Sequence, residues 1–387
     1  MHEKSLRRSA TSILASVLTT AMPVAVVGCG TETERSSTPS QVSAALNDLV
    51  RSGLPGVQAV ISGPDGEQTH SAGVADVGSG APYLDGSHIR IGSATKTFVA
   101  TVVLQLAAQG AIELDTPIGH YLPGVVSGNG NDGGRITVRQ LLQHTSGLPD
   151  FAPEDVVHKQ PQQLDQTSDG TAYRDLTPAD MVGIAMTMPP QFEPGARFEY
   201  TNTNYVLLGM LIEHVTGHRL DAEIRSCILD PLALRDTYFP APGDTGLRDP
   251  HPHGYSNIDG AWVDVTTMEA AWAGAAGAMI STGSDLNWFA TALITGKLLP
   301  PDQLTQMQQT TPMAPGTGTN YGLGLIGFQI PCDTQEKHVW GHTGGIPGFS
   351  TVLIATSTGT AATISVNTEQ LNSQFSTAIT TIICSIA

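Results

Sequence analysis

Among its 387 residues the chain has only five lysines and four cysteines. Beyond its first thirty residues it has no apolar run long enough to span a bilayer. Its 18 Lys and Arg stand against 35 Asp and Glu, a formal net charge of −17. Nucleic-acid binding needs positive charge to displace condensed counterions, so this acidity argues against nucleic acid as a partner. It equally disfavours an electrostatic hold on anionic lipid. Several chemistries are absent by motif. No G-x-S-x-G elbow occurs. The one His-Glu pair, His2-Glu3, opens no H-E-x-x-H. His251 and His253 lie close together without a carboxylate or cysteine partner that would complete a metal site, and turn histidines are usually structural. There is no P-loop, dinucleotide fingerprint or internal repeat, and neither a metal nor an organic cofactor is expected.

What is present is a turn-rich globular composition: 40% hydrophobic residues, with 42 glycines and 25 prolines scattered along the chain. That supports one large domain or two intertwined ones. Lys4, Arg7 and Arg8 precede an uncharged stretch from Ile13 to Gly28, the pattern of an export leader over residues 1–28. Val26-Val27-Gly28-Cys29 resembles a lipobox, in which Cys29 becomes diacylated; a plain secretory signal is the alternative. The polar segment after Cys29 reads as a tether over residues 29–42. A lipid anchor at Cys29 on an exported, membrane-held monomer is therefore expected. Removing Met1–Gly28 takes away three bases and one acid and leaves a charge of about −19. Export permits a disulfide. Cys227, Cys332 and Cys384 allow three pairings, of which Cys332 with Cys384 leaves Cys227 as a buried thiol.

Periodicity predicts a helix over 41–52, with its start near Ser43. A β-hairpin of Val57–Ile61 and Gln68–Val74 follows, and then a long apolar helix from Ser93 to Gln109. Near the other end, Val339–Gly341, Ser350–Ala355 and Thr360–Val366 read as strands and Ser373–Ile383 as a closing helix. The middle mixes helices (Val138–Gln143, Pro178–Met186, Tyr205–Val215, Leu220–Ile228, Ser284–Leu293) with Pro/Gly loops, and Val125–Arg135 reads as a surface loop. Strands at both ends of a helical middle imply one discontinuous domain over 43–387. Its α/β part spans about 43–115 and 265–387, and its inserted helical part about 116–264.

Three short motifs carry candidate chemistry. In Ser93-Ala94-Thr95-Lys96 the lysine follows the serine by one helical turn, on the same face. A buried lysine amine can take a serine proton; alone, the pattern equally describes a Ser-capped helix with an exposed lysine. In Tyr200-Thr201-Asn202 the phenol can relay a proton, and the amide can orient Lys96 or bind a substrate carbonyl. A core tyrosine and a helix cap are the plain alternative. A second Y-x-N, Tyr255-Ser256-Asn257, lies in a polar turn segment with no element to hold it, and is set aside. His342-Thr343-Gly344-Gly345 closes one strand before another, where small residues let a substrate backbone lie along the edge. The N–H groups of Ser93 and Gly345 would then form an oxyanion hole.

Ser-x-x-Lys, Tyr-x-Asn and His-Thr-Gly in this order resemble the signatures of the penicillin-binding and serine β-lactamase superfamily. The resemblance runs from about Ser43 to Cys384. It is strengthened by Leu114-Asp115-Thr116-Pro117-Ile118, His144-Thr145-Ser146-Gly147-Leu148 and Tyr321-Gly322-Leu323-Gly324, which are similar to the class C β-lactamase and D-alanyl-D-alanine carboxypeptidase branch. It implies an α+β fold of the β-lactamase/DD-peptidase type, with an antiparallel sheet of N- and C-terminal strands flanked by helices. It implies Ser93, Lys96, Tyr200 and His342 as catalytic residues, with activity depending on pH through Lys96, Tyr200 and His342 as a coupled set. It implies Asn202, Trp272 and Thr343 as substrate-binding residues, His342 as a group that orients Tyr200 or protonates the leaving group, and a Cys332–Cys384 disulfide. The implied activity is a serine acyl-enzyme hydrolase, most like a D-alanyl-D-alanine carboxypeptidase acting on a small peptide, ester or β-lactam. The alternatives are an esterase or amidase of the same family, or a penicillin- or muropeptide-binding lipoprotein with little turnover. One departure bears on the choice. The branch's carboxypeptidases hold the substrate carboxylate with an Arg after the Tyr-Gly-Leu-Gly-Leu strand and a second Thr after His-Thr-Gly. Here no base follows until Lys337, and Gly345 replaces the Thr.

Overall fold

The computed structural model describes residues 38–151, 176–241, 243–332 and 335–386. The expected leader, Cys29 and the tether as far as residue 37 lie outside the described residues. No helix among them is long and apolar enough to cross a membrane.

Among the described residues, fourteen strands and nine of the helices frame the fold. The strands are β1 (Gly56–Gly63), β2 (Gly66–Gly73), β3 (Ile89–Arg90), β4 (Ser127–Gly128), β5 (Asn131–Asp132), β6 (Tyr255–Ile258), β7 (Ala261–Asp264), β8 (Ile280–Ser281), β9 (Thr311–Pro312), β10 (Thr319–Tyr321), β11 (Ile326–Cys332), β12 (Gln335–Ile346), β13 (Phe349–Ala355) and β14 (Ala361–Val366). The helices are α1 (Thr38–Arg51), α2 (Thr95–Ala108), α3 (Val138–Leu142), α4 (Pro178–Met186), α5 (Asn202–Thr216), α6 (Leu220–Ile224), α7 (Gly274–Gly277), α8 (Gly283–Ile294) and α9 (Ser373–Ile386).

One eight-stranded sheet runs in the order β2-β1-β14-β13-β12-β11-β10-β9 and is antiparallel throughout. The N-terminal hairpin joins the C-terminal strands through Val57↔Val366 and Ala59↔Ile364, so the sheet closes only when both ends of the chain are in place. Its two faces are sorted by the alternation of side chains along a strand. On β13, Val352 and Ile354 face a core shared with α1 and α9 (Leu46, Leu49, Phe375, Ile382), while Leu353 and Ala355 face the larger core of the helical region. β13 and β14 are buried along their whole length, whereas the edge strand β2 is largely exposed and polar.

The helix α2 is buried on every side from Thr95 to Leu104, as an all-round apolar helix must be. Phe98 stacks on Phe289 of α8 at 3.7 Å. The Cys332–Cys384 disulfide ties the end of β11 to α9.

Several local expectations change. The first helix starts at Thr38 rather than residue 41; Pro39 lies in its first turn, where a missing N–H costs little. Val125–Arg135 contains the small β4–β5 hairpin, with Asn131 buried. Cys227 is half-buried in a π-turn beside Glu223, not the fully buried thiol expected. Tyr255-Ser256-Asn257 is held rigidly in the β6–β7 pair. Its tyrosine hydroxyl bonds Asp76 and the Val77 N–H, so its partners, and not a lack of structure, remove it from the chemistry. His253 pairs with Asp264, and no metal-binding group of three or more His, Cys, Asp or Glu exists among the described residues.

Candidate active site

Ser93 lies in a single 3₁₀ turn, Gly92–Ala94, which runs directly into α2. Two glycines let β12 press against that turn. A Cβ on Gly344 would fall 1.9 Å from the Ile91 carbonyl oxygen. A Cβ on Gly92, whose φ is +49°, would fall 2.8 Å from both the nitrogen and the oxygen of Gly345. The ladder between β11 and β12 ends at Ile326↔Gly341, whereas β12 continues against β13 as far as Ile346. The edge of β12 from Thr343 onward is thereby turned toward Ser93. His342-Thr343-Gly344-Gly345 is thus the second half of a long strand, where the sequence reading ended the strand at Gly341.

Lys96 is fully buried. As an ammonium its Nζ donates to Ser93 Oγ at 2.9 Å, to Asn202 Oδ1 at 2.9 Å and to the Ala276 carbonyl of α7 at 2.7 Å. Burial pulls the lysine down to about 7, against an opposing pull from the Asp150 carboxylate. Near neutral pH a good fraction of it is therefore an uncharged amine, able to accept a proton.

Tyr200 presents its ring to the lysine, with Nζ 4.7 Å from the centroid. Its hydroxyl is buried without a well-aligned hydrogen-bond partner. Burial raises this phenol well above its ordinary range, and the nearby Ser93 hydroxyl lowers it only in part. It is a neutral O–H donor and not a phenolate.

Asn202 opens α5. Its backbone N–H and its Nδ2 both donate to Asp150 Oδ2, at 2.9 and 3.1 Å. The helix N-terminus is thus capped by a carboxylate from another segment, which satisfies an orphan N–H and complements the helix dipole. Nδ2 is engaged with Asp150 while Oδ1 serves Lys96, so of the two expected roles the geometry favours orientation of the lysine.

His342 occupies a different place from the expected one. Its Nδ1 lies 2.6 Å from the Thr343 carbonyl, which can only accept, so Nδ1 carries the proton. Its Nε2 then accepts from the Tyr321 hydroxyl at 2.9 Å. The ring bonds Tyr321 and not Tyr200, and both nitrogens are occupied. Burial, together with the neighbouring Lys96, lowers it to about 3. It is a neutral fixture of the strand throughout the physiological range.

Gly345 is exposed, with open space where a side chain would stand. Thr343 is half-buried beside it. Trp272 is 7% exposed and packs in the larger core, two residues before α7 begins. Lys337 pairs with Ile330, five residues before His342 on β12, or roughly 16 Å along the strand. It does not replace the missing cation.

Three residues of this arrangement had no role in the sequence reading. Asp150 follows the His144-Thr145-Ser146-Gly147-Leu148 run by two positions. His144 itself is buried at φ +58° and stacks on Tyr200 at 4.2 Å; its Nδ1 accepts from the Thr201 N–H and Asn204 Nδ2. Tyr321, of the Tyr-Gly-Leu-Gly run, holds His342. Both runs were visible as resemblance, which was the available signal, but neither motif states what its first residue touches.

Comparison with known proteins identifies the family and the fold. The family described as "Beta-lactamase" matches residues 42–384. A D-stereospecific amidohydrolase from Streptomyces sp. superposes with a TM-score of 0.80 and 37% identity, covering 90% of this chain and 99% of that one. The D-amino acid amidase of Ochrobactrum anthropi SV3 gives 0.76 and 27%, covering 90% and 98%. Protein flp of Staphylococcus aureus (strain NCTC 8325 / PS 47) is 27% identical over 272 residues, which are 68% of this chain and 49% of that protein. The chain spans about half the length of the curated relatives it matches. With its α+β architecture and its Ser93–Lys96 pair, the chain belongs to the beta-lactamase family of serine hydrolases.

Proposed function

We propose that the protein is an amidohydrolase that cleaves the amides of D-amino acids, and short peptides of them, through an acyl-enzyme on Ser93. The observation that carries the reading is the buried Lys96 amine set 2.9 Å from Ser93 Oγ. The substrate class is supported by the D-specific amidases that share its fold over nearly their whole length. It is supported also by the absence of the Arg and the second Thr that would hold a C-terminal carboxylate. That absence weighs against a D-alanyl-D-alanine carboxypeptidase.

In the proposed cycle neutral Lys96 takes the Ser93 proton as Oγ attacks the carbonyl carbon. The backbone N–H groups of Ser93 and Gly345 hold the oxyanion. The Tyr200 hydroxyl gives its proton to the leaving nitrogen and regains one from the lysine, so the C–N bond breaks with ammonia or an amine departing neutral. Water then attacks the ester, its proton passing to Lys96 and on to Ser93 Oγ as the acid is released. Asn202 orients the lysine, and Thr343 with the β12 edge receives the substrate backbone.

The test is a comparison of D-phenylalanine amide, L-phenylalanine amide, an acyl-D-Ala-D-Ala peptide and a p-nitrophenyl ester, with Ser93→Ala as control. Ammonia release from the D-amide well above the L-amide, abolished in S93A, is the expected result. Preferential release of D-Ala from the peptide would replace this reading with the carboxypeptidase, and equal rates in S93A would remove the nucleophile.

A further inference from the structure

We propose that Asp150 is a positioning residue that fixes the direction in which Lys96 can accept a proton. An asparagine side chain carries an acceptor on one arm and a donor on the other, and which arm faces a neighbour depends on what else it meets. Asp150 Oδ2 meets Asn202 twice, at the backbone N–H and at Nδ2. An ionised carboxylate only accepts, so it holds the NH₂ arm to itself and leaves Oδ1 toward Lys96, where it lies 2.9 Å from Nζ.

The consequence follows from counting hydrogens on the amine. A neutral lysine has two N–H bonds and one lone pair. The Ala276 carbonyl and Asn202 Oδ1 both only accept, and they take the two N–H bonds. Among the described residues the one remaining neighbour in hydrogen-bond contact is Ser93 Oγ at 2.9 Å, so the lone pair points at the serine hydroxyl. With the amide turned over, an Asn202 N–H would face Lys96 instead, and the lone pair would be drawn away from Ser93.

Asp150 also acts through charge. The groups around Lys96 are Asp150, the neutral His144 and His342, and the ring faces of Tyr200 and Tyr205 at 4.7 and 5.6 Å. Of these only Asp150 is an anion that favours the ammonium form. Its loss lowers the lysine's proton affinity further.

The effect on rate rests on the acyl-enzyme reading above; the effect on Lys96 does not. A purely structural role, as the cap of α5, is the competing account. With only five lysines in the chain, [ε-¹³C]lysine labelling of the full-length protein resolves Lys96, assigned by the signal lost in Lys96→Arg. The wild-type signal is expected to titrate near 7. In Asp150→Asn the midpoint falls by roughly half a unit or more. Asp150→Ser behaves alike while keeping a side chain suited to capping a helix, so it decides the matter if the first variant folds poorly. Asp150→Glu, which keeps the charge, restores most of the shift. In the amidase assay kcat falls roughly tenfold in the Asn variant with KM little changed. A midpoint that does not move, or that rises, in both neutral variants overturns the proposal. A moved midpoint in a protein that turns over no amide refutes the proposed function and leaves Asp150's role standing.

Discussion

Gly92 and Gly345 touch across the site, and the same substitution at each has opposite consequences. In Gly92→Ala the new methyl stands 2.8 Å from Gly345 N and O and 3.0 Å from Gly345 C. These are backbone atoms of a strand paired with β13, so no side chain can rotate aside. The left-handed backbone at φ +49° costs roughly 1–2 kcal/mol for a residue with a Cβ. Relieving the contact by moving the strand costs roughly 1–3 kcal/mol more. Unfolding entropy of about 2.1 cal/mol/K per residue, summed over the folded part, converts a loss of about 2–5 kcal/mol into a Tm lower by roughly 3–7 °C. Opening the contact to an ordinary separation displaces Ser93 from β12 by roughly half an ångström, which lowers kcat by about tenfold where a full ångström would cost about a hundredfold. Gly345→Ala meets nothing within 4 Å and leaves Tm unchanged. Its methyl enters the open space in front of the strand, so any effect lies in substrate fit. Thermal denaturation and steady-state kinetics on both variants decide the matter. A Gly92→Ala protein with wild-type Tm and kcat, or a Gly345→Ala protein as unstable as Gly92→Ala, refutes the packing of the Ser93 turn described here.

Three further outcomes follow. Lys96 must be uncharged to accept the Ser93 proton and is held at about 7, so kcat/KM rises with pH through that value and is flat above it; His342, lowered to about 3, adds no second step between pH 5 and 6.5, and a pH–rate profile with a histidine step there contradicts its placement. Removing the Cys332–Cys384 bridge with paired alanines frees a loop with a sequence separation of 52, which costs about 4 kcal/mol in the chain-entropy account and lowers Tm by several degrees on calorimetry; an unchanged Tm counts against the disulfide as a stabiliser. We propose that Cys29 carries the lipid: Cys29→Ala is then expected to abolish a diacylglyceryl mass increment and the globomycin sensitivity of processing, and a mass difference that the Cys-to-Ala exchange alone accounts for removes the anchor.

Much of the fold was legible because its signals are local. The β1–β2 hairpin announces itself by two short segments flanking a Gly-Pro-Asp-Gly turn, and α2 by its long apolar pattern. β13 reads as a continuous apolar run because it is covered on both sides, by α1 and α9 on one face and by the helical region on the other. The end of β12 was misplaced for a physical reason. Gly344 and Gly345 are poor strand formers, and they are extended here because β13 pairs with them through Ile346 and because glycine alone fits against the Ser93 turn.

The site divides along the same line. Ser93 and Lys96 are one helical turn apart in sequence, so their contact could be inferred from spacing. The partners that give them their chemistry come from elsewhere in the chain. Asn202 is 106 residues from Lys96, the Ala276 carbonyl 180, and Asp150 acts on the lysine both through its bonds to Asn202 and through its charge. His342 illustrates the limit from the other side. A histidine beside a catalytic serine invites a proton-transfer role, and spacing alone cannot oppose it. What opposes it is a tyrosine hydroxyl brought to Nε2 by the pairing of β10, β11 and β12, with a carbonyl already on Nδ1. With both nitrogens engaged and the ring buried, protonation would bring a charge into an apolar core beside Lys96. The same burial that keeps His342 neutral lowers Lys96 to about 7. In both cases the interior favours the uncharged form; for a histidine that means no change near neutral pH, and for a lysine it means a free amine where an ammonium would otherwise stand.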